Sequence, residues 1–161
     1  MVAEQLLHCY IGIIQACFTF RFGFGCLLMA NLYSLVDTPA FAIAHDREQQ
    51  CLYVTWEGNH NPKSSKENCS LILQQVLQTH VPYVLNDSRL VLGGWNEVTG
   101  WLGAEFFPAL ADEGVKAVAW VKAKDWPARL IIEEALRHTE RPLVDTFEDT
   151  YVAYKWLCAR P

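Results

Sequence analysis

The stretch Phe41-Ala-Ile-Ala-His45 and, after the polar Asp46-Arg-Glu-Gln-Gln50, Cys51-Leu-Tyr-Val-Thr-Trp56 decides how this chain is read. Both runs are β-prone, and a five-residue polar connection suits an antiparallel hairpin. Past the Gly58-Asn-His-Asn-Pro62 loop the period changes. Ser64 followed by Glu67 has the spacing of a capping box, and Cys69, Ile72, Leu73, Val76 and Leu77 fall on one face of a helix ending near His80. A hairpin that gives way to a helix is the opening of an α/β layer fold rather than of an all-β one.

Working outward, the alternation continues to Cys158. Pro82-Tyr-Val-Leu85 reads as a short buried strand running into a polar loop, Asn86-Asp-Ser-Arg89, and then Gly93-Gly94. A second helix begins near Asn96, with Val98, Trp101, Leu102, Phe106 and Leu110 inward and Gly114 as a left-handed cap. Pro108 lies inside it, so the bond to the Ala104 carbonyl is lost and the axis is expected to kink. Val115 to Val121 is a strand. Asp125 caps a third helix with Pro127 in its first turn and Leu130, Ile131, Ala135 and Leu136 inward. Pro142 to Phe147 is the last strand, and the helix from Asp149 to Cys158 turns Val152, Ala153, Trp156 and Leu157 to the core. The order is β-β-α-β-α-β-α-β-α: a mixed, mostly parallel five-stranded sheet with an N-terminal hairpin and four helices. Right-handed crossovers place the strand ends near Trp56, Leu85, Val121 and Phe147 on one rim, the usual ligand edge of an open α/β sheet.

Composition narrows the function classes. The 161 residues carry a net charge of −5 with Lys and Arg scattered, so no basic stripe is available for nucleic acid. None of the six cysteines forms a C-x-x-C pair or stands at zinc-finger spacing from a histidine. Reduced thiols, no metal and a reducing, cytoplasmic compartment are expected.

Residues 1–28 stand apart as an apolar extension to a single domain over 29–161. Leu6 to Leu28 has the length of a membrane span, but Arg21 is costly there and the positive flank and cleavage site of a signal peptide are missing. The preferred reading starts the natural chain at Met29; an anchor through residues 6–28 or a helix packed on the domain are the other two.

Several elements together carry a family resemblance: Asp87-x-Arg89, Trp101-Leu-Gly-Ala-Glu-Phe-Phe-Pro108, Gly114-Val, Val118-Ala-Trp-Val, and Phe147 followed by Ala153-x-x-Trp156-Leu157. In order and spacing they resemble the STAS-like, SpoIIAA-like proteins related to bacterial anti-sigma factor antagonists, over Phe41 to Leu157. The resemblance implies a sheet flanked by helices, no cofactor, and binding of proteins or small ligands rather than catalysis. In anti-sigma factor antagonists an Asp-Ser-Ser-Gly element sets a phosphorylatable serine at the start of the helix after the third strand. Here Asp87-Ser88 continues into Arg89-Leu-Val-Leu-Gly-Gly-Trp-Asn96, so no serine occupies that place and a phosphorylation switch is not expected.

The candidate binding residues are those near the rim: Trp56, His60, Asp87, Arg89, Trp95 and Trp126. The tryptophans suit an apolar pocket or a protein interface. Asp87 and Arg89 suit a polar ligand group or, more plainly, a local ion pair. The leading expectation is a non-enzymatic module that binds a protein partner or a small apolar ligand, with homodimerisation possible. Its rival is an enzyme in which His60, Asp87 and Arg89 converge. No nucleophile elbow or phosphate loop supports that rival.

Overall fold

The computed structural model describes residues 32–93, 97–137 and 139–161. Six strands, β1 (Leu32–Thr38), β2 (Phe41–Asp46), β3 (Cys51–Asn59), β4 (Tyr83–Leu92), β5 (Ala117–Val121) and β6 (Leu143–Phe147), form one sheet whose spatial order is also the chain order. β1, β2 and β3 are antiparallel; β3 through β6 are parallel. The hairpin and the parallel run are those the sequence indicates.

The sheet has one strand more than the five expected. β1 was not legible because its sequence, Leu-Tyr-Ser-Leu-Val-Asp-Thr, neither alternates nor forms an apolar run, and most of it is exposed at an edge. A bulge between Ser34 and Val36 breaks its register with β2, a feature that discourages further pairing of an edge. β4 is also longer than expected. Asn86 to Arg89 are not a loop but continue the strand, because their polar side chains find partners on both faces of the sheet.

Helix α1 (Pro62–Thr79) is capped three residues earlier than Ser64-Glu67 suggested: Asn61 accepts from the Ser64 amide at 2.9 Å, the Ser64 hydroxyl accepts from the Asn61 amide at 3.0 Å, and Pro62 opens the first turn. The reciprocal geometry is that of a capping box, with Ser64 as its second member rather than its first. Helix α2 comes in three consecutive pieces, Thr99–Trp101, a π turn over Leu102–Phe106, and Phe107–Asp112. The irregularity at Pro108 is this π turn: the Phe107 amide reaches back five residues to the Leu102 carbonyl just before the residue that has no amide to give. At its end Gly114 has φ +94°, a conformation that favours glycine, and Val115 donates to the Leu110 carbonyl. Helix α3 (Trp126–Leu136) is capped by Asp125, and helix α4 (Thr150–Cys158) by Asp149.

The main core lies between one face of the sheet and α1, α2 and α3. Phe41, Ile43, Leu52, Val54, Trp56, Val84, Val118 and Trp120 meet Cys69, Ile72, Val76, Leu102, Phe106, Phe107, Leu110, Ile132 and Ala135 there. α4 packs on the opposite face against β4, β5 and β6, inserting Thr150, Ala153, Tyr154 and Leu157. Four inward assignments are corrected by this packing. Leu77, Leu130 and Val152 are exposed, and Trp156 is only half-buried. The core positions are held instead by Val76 in α1, Ile132 and Ala135 in α3, and Ala153, Tyr154 and Leu157 in α4. Asn96 and the side chain of Ile131 lie outside what the structure describes.

Candidate functional site

The carboxyl ends of the parallel strands form the rim, and β4 dominates it. β5 stops at Val121, opposite Asp87, while β4 runs on to Leu92 alongside Glu57 to Asn59 of β3. A register shift between Thr55 and Glu57 lets this arm turn, so that Val91 is buried in the core while Leu90 and Leu92 on either side of it are 52% and 51% exposed. Two hydrogen bonds tie the neighbouring loop to the arm: the Lys124 amide donates to the Arg89 carbonyl at 3.3 Å, and the Gly93 amide donates to the Asp125 carboxylate at 3.1 Å. Trp126, the next residue, opens α3 with its side chain 63% exposed and Arg129 over its ring at 5.9 Å.

Beneath the arm, the polar residues of β4 are sorted by the pleat. Asn86 and Ser88 point to the three-helix face. The Trp56 indole donates to Asn86 Oδ1 at 2.8 Å; Ser88 donates to the Val121 carbonyl at 2.7 Å and accepts from the Trp120 indole at 2.9 Å. These are core hydrogen bonds that allow two tryptophans to be buried without stranding their N–H groups. A cavity of about 10 Å³ beside Ser88, Trp120 and Ile132 is roughly the size of one water.

Asp87 points to the α4 face. Its side chain is 5% exposed and holds Arg89 in a fork: Arg89 Nε donates at 2.9 and 3.1 Å to the two carboxylate oxygens and Nη2 at 2.7 Å to Oδ2. Thr150 at the start of α4 adds a hydroxyl donor to Oδ2 at 3.1 Å. The carboxylate in turn holds the guanidinium in its charged form, raising the Arg89 pKa further. Tyr53, buried beside them, has its hydroxyl pKa raised well above the ordinary value, first by burial and then by the Asp87 charge.

The sheet separates the residues of the convergent site. His60 rests edge-on against the Trp56 ring at 5.2 Å on the three-helix side, where burial lowers its pKa and the backbone of Glu57 and Ala40 engages it. Asp87 and Arg89 occupy the other face. Trp56 is 1% exposed and belongs to the core; Trp126 stands on the rim; Trp95 lies outside the described residues. Leu90, Leu92 and Lys124 were not singled out from the sequence. The signal available was Leu90-Val-Leu92 itself, an apolar triplet between the polar Asn86 to Arg89 and Gly93, but which of its members faces out follows from the register of β4.

No family model matches the sequence, and no curated protein matches it. Solved structures do. An uncharacterised protein of the DUF3478 family with a SpoIIAA-like fold, from Shewanella loihica PV-4, superposes with a TM-score of 0.51 at 20% identity, covering 77% of this chain and 98% of that one. SiaC of Pseudomonas aeruginosa aligns at 15% identity over 72% of this chain and 98% of its own, with a TM-score of 0.43, too low to build on. The described domain is thus an open, mixed α/β sheet module. More particularly, it has the SpoIIAA-like, STAS-type fold, as the sequence resemblance implied. Among the described residues no helix is long and apolar enough to cross a membrane, and no group of three His, Cys, Asp or Glu side chains is placed to hold a metal ion.

Proposed function

We propose that the domain is a non-enzymatic binding module that engages a protein partner through the β4 arm and the start of α3. The observation that carries this reading is the exposure of Leu90, Leu92 and Trp126, at 52%, 51% and 63%, on a backbone fixed by cross-strand and loop hydrogen bonds. Large apolar side chains presented on a rigid frame lose little conformational freedom on association, which favours their use as interface anchors. A protein suits the rim better than a small apolar ligand, because the cavity beneath it has room for about one water. The separation of His60 from Asp87 and Arg89 weighs against the enzymatic alternative.

The same geometry supports constitutive binding. Ser88 is 5% exposed with its hydroxyl both donating and accepting inside the core, a poor position for a phosphate. The test is site-specific photocrosslinking of the full chain in its own cells. A photoreactive side chain at Leu92 or Trp126 is expected to give a discrete protein adduct, and the same group at the exposed Leu143, at the far end of the sheet, none. Equal adducts at all three positions, or none at the first two, would end this reading.

A further inference from the structure

Arg89 is oriented by Asp87 but not exhausted by it. The fork uses Nε and one hydrogen of Nη2, so both hydrogens on Nη1 and the second on Nη2 have no hydrogen-bond acceptor among the described residues. Its side chain is 25% exposed, and it is followed directly by the outward Leu90. The acidic groups that act on it are Asp87 and Asp149; Asp149 is engaged in capping α4, where it accepts from the Val152 amide at 3.0 Å.

A second basic residue is joined to this one through the main chain. Lys124, whose amide donates to the Arg89 carbonyl, is exposed and makes no salt bridge among the described residues. The next basic residues along, Lys122 and Arg129, are both taken by Glu133 and Glu148. The rim therefore offers apolar area from Leu90, Leu92 and Trp126 together with one pre-aimed guanidinium edge, and the loop bonded to it carries an ammonium with no salt bridge among the described residues. A buried carboxylate that holds an arginine in place leaves its outer edge ready for a planar two-oxygen anion without further ordering.

Resting on the reading that the rim receives a protein, we propose that its partner supplies an acidic, apolar peptide segment: a Glu or Asp carboxylate seats on the outer edge of Arg89 while neighbouring apolar side chains cover Leu90, Leu92 and Trp126. A carboxylate fits better than a phosphate because a phosphate's extra charge calls for clustered cations, and among the described residues the neighbouring loop adds only Lys124 as a cation without a salt bridge.

The test pans a random displayed peptide library on the full chain, then synthesises the recovered sequence in acid, amide (Glu→Gln) and phosphoserine forms. Each is titrated by fluorescence anisotropy against the parent protein, Arg89→Lys, Leu92→Ser and Trp126→Ala. An Asp87→Asn/Arg89→Gln double variant, checked by thermal melting, removes the fork without leaving Asp87 buried and unpaired. The expected result is a recurring acid beside apolar residues, with the Glu→Gln peptide and the Arg89→Lys protein each weakening binding about tenfold and the two together no further, the signature of one shared contact. Binding that is lost with Leu92→Ser but indifferent to Glu→Gln and Arg89→Lys would overturn the carboxylate and leave the rim standing. Tighter binding of the phosphoserine form would replace the carboxylate with a phosphate and overturn it too. Recovered peptides indifferent to Leu92→Ser and Trp126→Ala, or no recovered peptide at all, would remove the rim itself as the binding surface.

Discussion

Trp56 and Trp126 show how little the presence of an aromatic residue near a rim says about its use. Trp56 spends its indole N–H on Asn86 inside the core, while Trp126 is largely exposed to solvent. Trp56→Phe should therefore destabilise the domain by about 1–3 kcal/mol through the acceptor it strands, read as a lower denaturant midpoint, without weakening a rim-bound partner. Trp156 packs edge-on against Phe147 at 5.3 Å and carries Arg160 over its ring at 3.7 Å, but it is only half-buried. As a fully inward residue, which the helix spacing suggested, its truncation to Ala would cost about 3–5 kcal/mol; half-buried, about 2 kcal/mol is expected in the same measurement. His45 and His60 both have pKa values lowered, first by burial. The folded state thus prefers them neutral while the unfolded chain protonates near pH 6.5, so stability is full above that value and falls as the pH drops below it. Melting temperature should decline between about pH 7 and pH 5, and His45→Leu should flatten part of that decline; an unchanged profile would show that other groups govern it.

At the level of elements, the parallel strands and the cap of α3 were legible because each rests on local sequence: apolar runs between polar turns, and an aspartate before a periodic segment. The cap of α1 was misassigned by one half-box. Asn61→Ala should cost about 1 kcal/mol in a denaturant melt, whereas Glu67→Ala, the residue a Ser64-centred box would need, should lie within about 0.5 kcal/mol of the parent. The reverse order would restore the sequence-based cap. β1 and the second half of β4 were illegible for opposite reasons. β1 is an edge strand with little to bury, so no pattern marks it. In β4 the polar run Asn86 to Arg89 looks like a loop until its partners are known, and those partners, Trp56 in β3, Trp120 and Val121 in β5 and Thr150 in α4, come from three other places in the chain. Distant hydrogen bonds leave no local trace.

For the whole molecule, the sequence located the rim but not its surface chemistry, because that depends on a register shift between β3 and β4 which decides which of Leu90, Val91 and Leu92 faces out. Cysteine behaviour is a global check on the packing. Cys51 and Cys69 are buried, and burial raises both thiol pKa values; Cys158 is half-buried. Peptide-resolved alkylation of the native chain should mark Cys158 well before the other two, and early labelling of Cys51 or Cys69 would show that the sheet or α1 opens. Because strand order in space equals strand order in the chain, each strand leaving the ribosome meets its neighbour already made, and assembly can proceed in the direction of synthesis without any strand waiting for a later one to be inserted beside it. The exception is α4, made last, whose Tyr154 hydroxyl reaches back across 108 residues to Asp46 in β2. Nascent chains halted before α4 should already hold a paired sheet that lacks the cover α4 gives to β4, β5 and β6, the moment at which this protein most needs a chaperone's cover.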